Sequence, residues 1–172
     1  FVHPGSVTIR GTIYSGIWLR YDIHAQQVEV EYSTLSGADN QVILVGDRVD
    51  EFQIGAYEFR KLEQDPDQFH QVLGSGRLFC YIRWEKKLVP ISGDSRFIET
   101  FTAPKREYLL ELDGVTSEFN NKKSFVKLFP EASQKELKKL IRANQLHIQY
   151  VSPEQLSLFI ITANKLLTEG GY

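Results

Sequence analysis

The sequence has no methionine and a single cysteine in 172 residues. One cysteine cannot close an intrachain disulfide, so no covalent staple holds this fold. Cys80 lies inside an apolar β-type run, where a buried structural thiol is expected, because reactive cysteines need an electropositive, partly exposed setting. A chain that starts at Phe1 and contains no methionine is expected to have lost an N-terminal segment, by processing or by truncation, and a secretory leader is one candidate. Long apolar runs are absent as well. No stretch approaches the ~18 residues that a transmembrane helix needs. Nor is one sign of charge in excess: 20 Lys and Arg stand against 22 Asp and Glu, for a formal charge of −2. That balance gives no electrostatic case for a nucleic-acid partner.

Most signatures of catalysis are also missing. His3, His24, His70 and His147 are scattered, with no i, i+4 pair to hold zinc. There is no G-x-S-x-G elbow. Gly74-Ser75-Gly76 lacks the spacing and following helix of a phosphate-binding loop and reads as turn chemistry. Asp65-Pro66-Asp67 is too short a ligand series for calcium and also reads as a turn. The sequence therefore assigns no catalytic, cofactor-binding or metal-binding residue. The best candidates for converging polar groups are Arg20, Asp22, His70 and Arg83, each of which has a simpler role as an outward or ion-paired residue.

What is present is ordinary globular material. Hydrophobic residues make up 42% and charged residues 24%, with 11 Phe and 8 Tyr to fill a β-rich interior. The length fits one domain with a proper core. The densest strand signal is Gln68–Trp84, read as a hairpin turning at Gly74-Ser75-Gly76. In its second arm Leu78, Cys80, Ile82 and Trp84 share one face, and Phe79, Tyr81 and Arg83 share the other. Both faces are largely apolar, so this arm is expected to be central and covered on both sides, or part of a strongly curved sheet.

Alternation predicts further strands over Ser6–Tyr14, Ile17–Ile23, Gln27–Tyr32, Gln41–Val45, Arg48–Gln53, Tyr57–Leu62, Phe97–Phe101, Glu107–Leu112 and Val115–Phe119. Ser15-Gly16 separates the first two. Val28, Val30 and Tyr32 are expected inward, with Glu29 and Glu31 outward. Leu88–Arg96, holding Pro90 and Gly93, reads as a loop or a poor edge strand.

After Asn120 the period changes from strand to helix. Asn121–Phe129 reads as a short helix with Phe125, Leu128 and Phe129 inward. Ser133 to Glu136 matches a capping box, followed by a helix with Leu137, Leu140 and Ile141 on one side and Lys135, Lys138, Lys139 and Arg142 on the other. That basic stripe reads as a solvated helix face. Asn144 is a stop, and His147–Val151 is extended or a connector. Ser152-Pro153-Glu154-Gln155 opens the last helix. Leu156, Phe159, Ile160, Ala163, Leu166 and Leu167 form its apolar stripe, and Gly170-Gly171 ends the pattern. Leu158 and Ile161 fall off the stripe, so this helix is more apolar than one-sided packing needs.

Several short motifs recur in a known group. Leu19-Arg20-Tyr21-Asp22 after a glycine turn, Phe69-His70-Gln71-Val72-Leu73 before one, Lys127-Leu128-Phe129-Pro130, and Lys135-Glu136-Leu137-Lys138-Lys139 with Asn144 together resemble a family of uncharacterised, envelope-associated proteins of Bacteroidota. The resemblance covers most of the chain. It implies a leader before Phe1 and a periplasmic or envelope location, with the cytoplasm left open, and it carries over no catalytic residue.

The expected fold is α+β: an antiparallel, meander-rich sheet of about nine to eleven strands, twisted or partly barrel-like, followed by two or three C-terminal helices. Residues 1–119 form the β part and 120–172 a helical segment packed on it, in one domain overall. The expected function is a non-catalytic binding or interaction module. It would meet a protein partner, or another copy of itself, through the last helix or a sheet edge. One alternative is a carrier holding a small apolar ligand in a curved sheet. Another is an enzyme of unknown class. The residues expected to touch a ligand or partner are Trp18, Phe79, Tyr81, Leu158 and Ile161. Burial of both Leu158 and Ile161 would remove the main support for the binding module, and a filled interior would remove the carrier.

Overall fold

A computed structural model describes residues 2–91, 98–148 and 150–169. The chain is α+β, with antiparallel strands followed by three helices. Ten strands form one open sheet in the order β12-β11-β8-β7-β6-β5-β1-β2-β3-β4. These are β1 His3–Ile9, β2 Thr12–Asp22, β3 Gln27–Ser33, β4 Asp39–Ile43, β5 Val49–Ile54, β6 Tyr57–Leu62, β7 Asp65–Ser75, β8 Leu78–Glu85, β11 Lys105–Leu112 and β12 Val115–Phe119. The short strands β9 Leu88–Pro90 and β10 Glu99–Phe101 pair with each other. The helices are α1 Lys122–Lys127, α2 Glu131–Ala143 and α3 Pro153–Glu169. The sheet is a meander from β4 back to β1, then a second meander from β5 to β8, as short connections between antiparallel strands dictate.

The chain divides into two compact units, one of residues 1–71 and 83–106, the other of residues 72–82 and 107–172. The first has a core of Val7, Leu19, Val28, Val49, Phe52, Phe59 and Phe69, with Trp84 packed against it. Aromatic rings dominate this core. Phe52 stacks on Phe59 at 4.8 Å and meets Tyr21 at 5.1 Å and Phe69 at 5.0 Å, separations at which ring edges and faces attract.

The second unit is built on the tip of the β7–β8 hairpin, β11, β12 and the helices. Leu78, Cys80, Tyr81 and Ile82 are all fully buried, so both faces of this arm are covered, as its apolar alternation predicts. Burial pushes the Cys80 thiol well above its ordinary range, which leaves it protonated and inert. Helix α3 buries Leu156, Phe159, Ile160, Ala163 and Leu167, the i, i+3, i+4, i+7 pattern of one helix face. Its start is a capping box: Ser152 Oγ accepts from the Gln155 amide at 3.2 Å, and Gln155 Oε1 accepts from the Ser152 amide at 3.4 Å. Asn164 Nδ2 donates to the Ser75 carbonyl at 2.9 Å and ties α3 to the hairpin tip.

Some boundaries differ from the sequence reading. The first turn is at Arg10-Gly11, where φ is 49° and 77°, the two positive values of a tight hairpin loop. Ser15-Gly16 lies inside β2, where Gly5 pairs with Ile17 but Ser6 pairs with Ser15. Gly16 is thus the extra residue of a bulge. A second register shift, at Thr8/Ile9 against β5, lets Val49 and Phe52 both point into the core despite their odd spacing. Asp65-Pro66-Asp67 belongs to β7, and the turn is Glu63-Gln64. Pro66 is tolerated near the start of the strand, before its ladder is complete.

Glu29 faces away from the core as alternation requires but is buried, because Arg20 Nε donates to it at 2.5 Å and the Gln41 amide also donates to it. Tyr32, expected inward, is 47% exposed near the end of β3. Helix α2 starts at Glu131, immediately after Pro130. Ser133 therefore sits within the first turn, and its hydroxyl donates to the Pro130 carbonyl at 2.8 Å rather than capping. The expected strand start at Phe97, the loop residues 92–96, Gln149 and Gly170-Gly171 lie outside the described residues.

Candidate functional site

Of the four residues with the best prospect of converging, His70 and Arg83 meet, on Asp65. Asp65 Oδ2 lies 3.4 Å from His70 Nε2 and accepts from Arg83 Nη1 at 3.1 Å. Cross-strand pairing puts Arg60 opposite His70. Arg20 is engaged with Glu29, and the Asp22 carboxylate accepts from the His24 and Ala25 amides at 2.8 and 3.0 Å, closing the β2–β3 turn. The His70 side chain is 1% exposed. Burial lowers its pKa, against the opposing pull of Asp65. His70 is thus a buried histidine beside the Asp65–Arg83 ion pair that joins β7 to β8, and it lines none of the cavities at Asn121, Asn144 or Leu110.

This sets a pH dependence. In the unfolded chain His70 titrates near its ordinary 6.5, and in the folded protein it titrates lower. The unfolded state therefore binds the extra proton first. Its contribution to stability is complete above pH 6.5 and falls as pH drops through 6.5 toward the folded value. Urea unfolding at pH 7.5 and pH 5 is expected to show a larger loss for the native chain than for His70→Asn. Parallel losses in the two proteins would contradict this assignment.

Trp18 is 54% exposed on β2, beside Pro4 and Glu31. Phe79 and Tyr81 stack at 6.1 Å, Tyr81 is buried, and its hydroxyl donates to Glu111 Oε2 at 2.8 Å. None of these three lines a described cavity. Leu158 and Ile161, in contrast, are 67% and 40% exposed on α3. At i, i+3 they share one side of the helix.

Around Leu158 the second unit opens into two adjoining depressions. One, of about 410 Å3, is lined by Asn144 through His147, Tyr150, Val151, Gln155, Leu158, Phe159 and Thr162. The other, of about 550 Å3, is lined by Asn121, Lys122, Ile141, Arg142, Gln145 through Ile148, and Tyr150. The connector between α2 and α3 forms their common wall. Leu146, Ile148 and Val151 anchor it in the core, while His147 and Tyr150 project outward, Tyr150 being 82% exposed. The fold builds this site by holding an α2–α3 connection down through its apolar residues, which leaves His147 and Tyr150 in solvent.

Sequence reading singled out Leu158 but not Tyr150, Lys122 or the wall. The available signal was Leu146, Ile148 and Val151, three apolar side chains in a segment otherwise read as a plain connector. Among the described residues no group of three or more His, Cys, Asp or Glu is placed to hold a metal ion. No helix is long and apolar enough to cross a membrane, which says nothing of membrane-spanning strands. No protein-family model, no curated protein and no solved structure matches this chain.

Proposed function

We propose that the protein is a non-catalytic interaction module that docks a protein partner on the α2–α3 face. The observation that carries this reading is the exposure of Leu158 and Ile161 beside a groove of about 410 Å3. Large apolar side chains exposed together along a groove mark interaction surfaces more often than isolated ones do. A groove lined by helix side chains and an aromatic rim suits a short segment anchored by one apolar residue. The envelope-protein resemblance of the sequence supports a location in the periplasm or envelope.

The sheet edge is the second place considered for docking. Strand β4 is exposed throughout, with Val42 and Ile43 at 45% and 54%. It offers a free ladder for β-addition, and none of its residues lines either depression beside α2 and α3. The helical face offers both an apolar anchor point and a shaped recess.

Selection of a displayed random-peptide library on the native chain tests the proposal. Peptides should be enriched on the native protein and lost on a Leu158→Ser/Ile161→Ser variant. That variant should keep native circular dichroism, because both side chains are exposed and their replacement is expected to cost under about 0.5 kcal/mol. Enriched peptides that bind the double variant equally well would sink the reading.

A further inference from the structure

The basic side chains around the 550 Å3 depression lack acidic partners. Lys122, Arg142 and His147 line it, and no Asp or Glu does. Nor does any carboxylate line the adjoining groove. Among the described residues none of these three side chains makes an ion pair or a hydrogen bond. The imbalance extends through this part of the sequence: residues 120–172 carry eight Lys and Arg against four Asp and Glu, while the whole chain is net −2.

The two depressions share Gln145, Leu146, His147 and Tyr150. One extended segment can therefore touch the apolar groove at one end and the cations at the other. Carboxylates brought beside exposed cations gain attraction and steer encounter. Arg142 is suited to grip a carboxylate with two parallel N–H donors.

We infer that the segment docked on this face is acidic. It is an extended peptide of a partner protein with one apolar side chain beside Leu158 and Asp or Glu carboxylates on Lys122, Arg142 and His147. The inference rests on the docking reading above and names the chemistry of the partner. A nucleic acid fits less well, because the rest of the chain is net acidic and would repel a long polyanion. An anionic bilayer fits less well too, because α3 exposes two large apolar residues, Leu158 and Ile161, whereas an interfacial helix buries a whole apolar face.

The test is fluorescence anisotropy of the full chain with three pools of labelled peptides. Each pool has Phe, Leu or Trp at its centre, flanked by Asp and Glu in the first, Asn and Gln in the second, and Lys in the third. The acidic pool should bind about tenfold tighter than the neutral pool, and rising salt should weaken it. Arg142→Glu should lower acidic-pool affinity about fivefold and leave neutral-pool affinity unchanged. Leu158→Ser should weaken both pools.

If the acidic and neutral pools bind alike and Arg142→Glu changes nothing, the acidic partner is overturned while apolar docking stands. If Leu158→Ser changes no binding, the docking reading itself fails. Vesicles of phosphatidylserine and phosphatidylcholine and a polyuridine RNA complete the panel. Tighter binding of either than of the acidic pool, or no binding of the acidic pool, overturns the inference.

Discussion

Replacing Gly74 by alanine is expected to destabilise the protein by about 3 kcal/mol, the sum of a left-handed backbone penalty and an overpacked contact. Gly74 has φ +92°, a region that side-chain-bearing residues rarely adopt. A Cβ there would lie 2.5 Å from Ile160 Cγ2 and 2.7 Å from the Leu78 carbonyl oxygen. Neither neighbour can yield cheaply. Ile160 is fully buried, and the Leu78 oxygen is backbone at the start of β8. The turn glycine of the hairpin is therefore also a point of close approach between α3 and the β7–β8 hairpin. Thermal or urea unfolding followed by circular dichroism measures the effect. A loss below about 0.5 kcal/mol, the range of neutral surface changes, would contradict the packing described for the second unit.

Phe52→Ala is expected to cost about 3–5 kcal/mol through lost burial and the cavity left behind. The Phe52 ring is 2% exposed, stacks on Phe59 at 4.8 Å and touches the Tyr21 and Phe69 rings. These three aromatic neighbours cannot collapse into the vacated space without leaving their rotamers. Phe101→Ala is the matching control. Phe101 is 49% exposed and meets the His24 ring and the Lys86 ammonium, so its loss should be a small fraction of that value. Equal losses at the two positions would show that the aromatic cluster is not the core of the first unit.

Much of this fold is legible in the sequence because its signals are local. The two apolar faces of Leu78–Trp84 announce a strand covered on both sides, and Leu78, Cys80, Tyr81 and Ile82 are buried. Asp113-Gly114 turns β11 into β12, and Ser152-Pro153 opens α3, each by chemistry contained in a few residues. Register is less legible, because it is set by the partner strand. Gly16 reads as a turn until Ser6 is found opposite Ser15, and Val49 and Phe52, three residues apart, would fall on opposite faces of a regular strand without the β1–β5 shift. Asp65-Pro66-Asp67 has turn composition, yet β7 extends through it, with Asp65 fixed between His70 and Arg83. At Ser133 two helix-start signals compete, and Pro130 wins because the chain is already helical from Glu131.

The candidate site divides in the same way. Leu158 and Ile161 stand out as residues off the apolar stripe of a single helix, a property of one segment. The recess beside them does not, because Lys122, Arg142, His147 and Tyr150 come from three separate segments. Their convergence is a result of packing. Trp18, Phe79 and Tyr81 attract notice as aromatic residues on strands, but Tyr81 is consumed by the core and Trp18 has no described cavity beside it.

The central claim is that a partner segment docks on the α2–α3 face. Two-dimensional NMR of the isotope-labelled chain, titrated with a peptide enriched on it, tests that claim most directly. The account predicts shift changes concentrated at the amides of Arg142 to Val151 and Gln155 to Thr162, with the amides of β3 and β4 unmoved. Changes confined to Asp39–Ile43, or spread evenly over the chain with none at the α2–α3 connector, would contradict it.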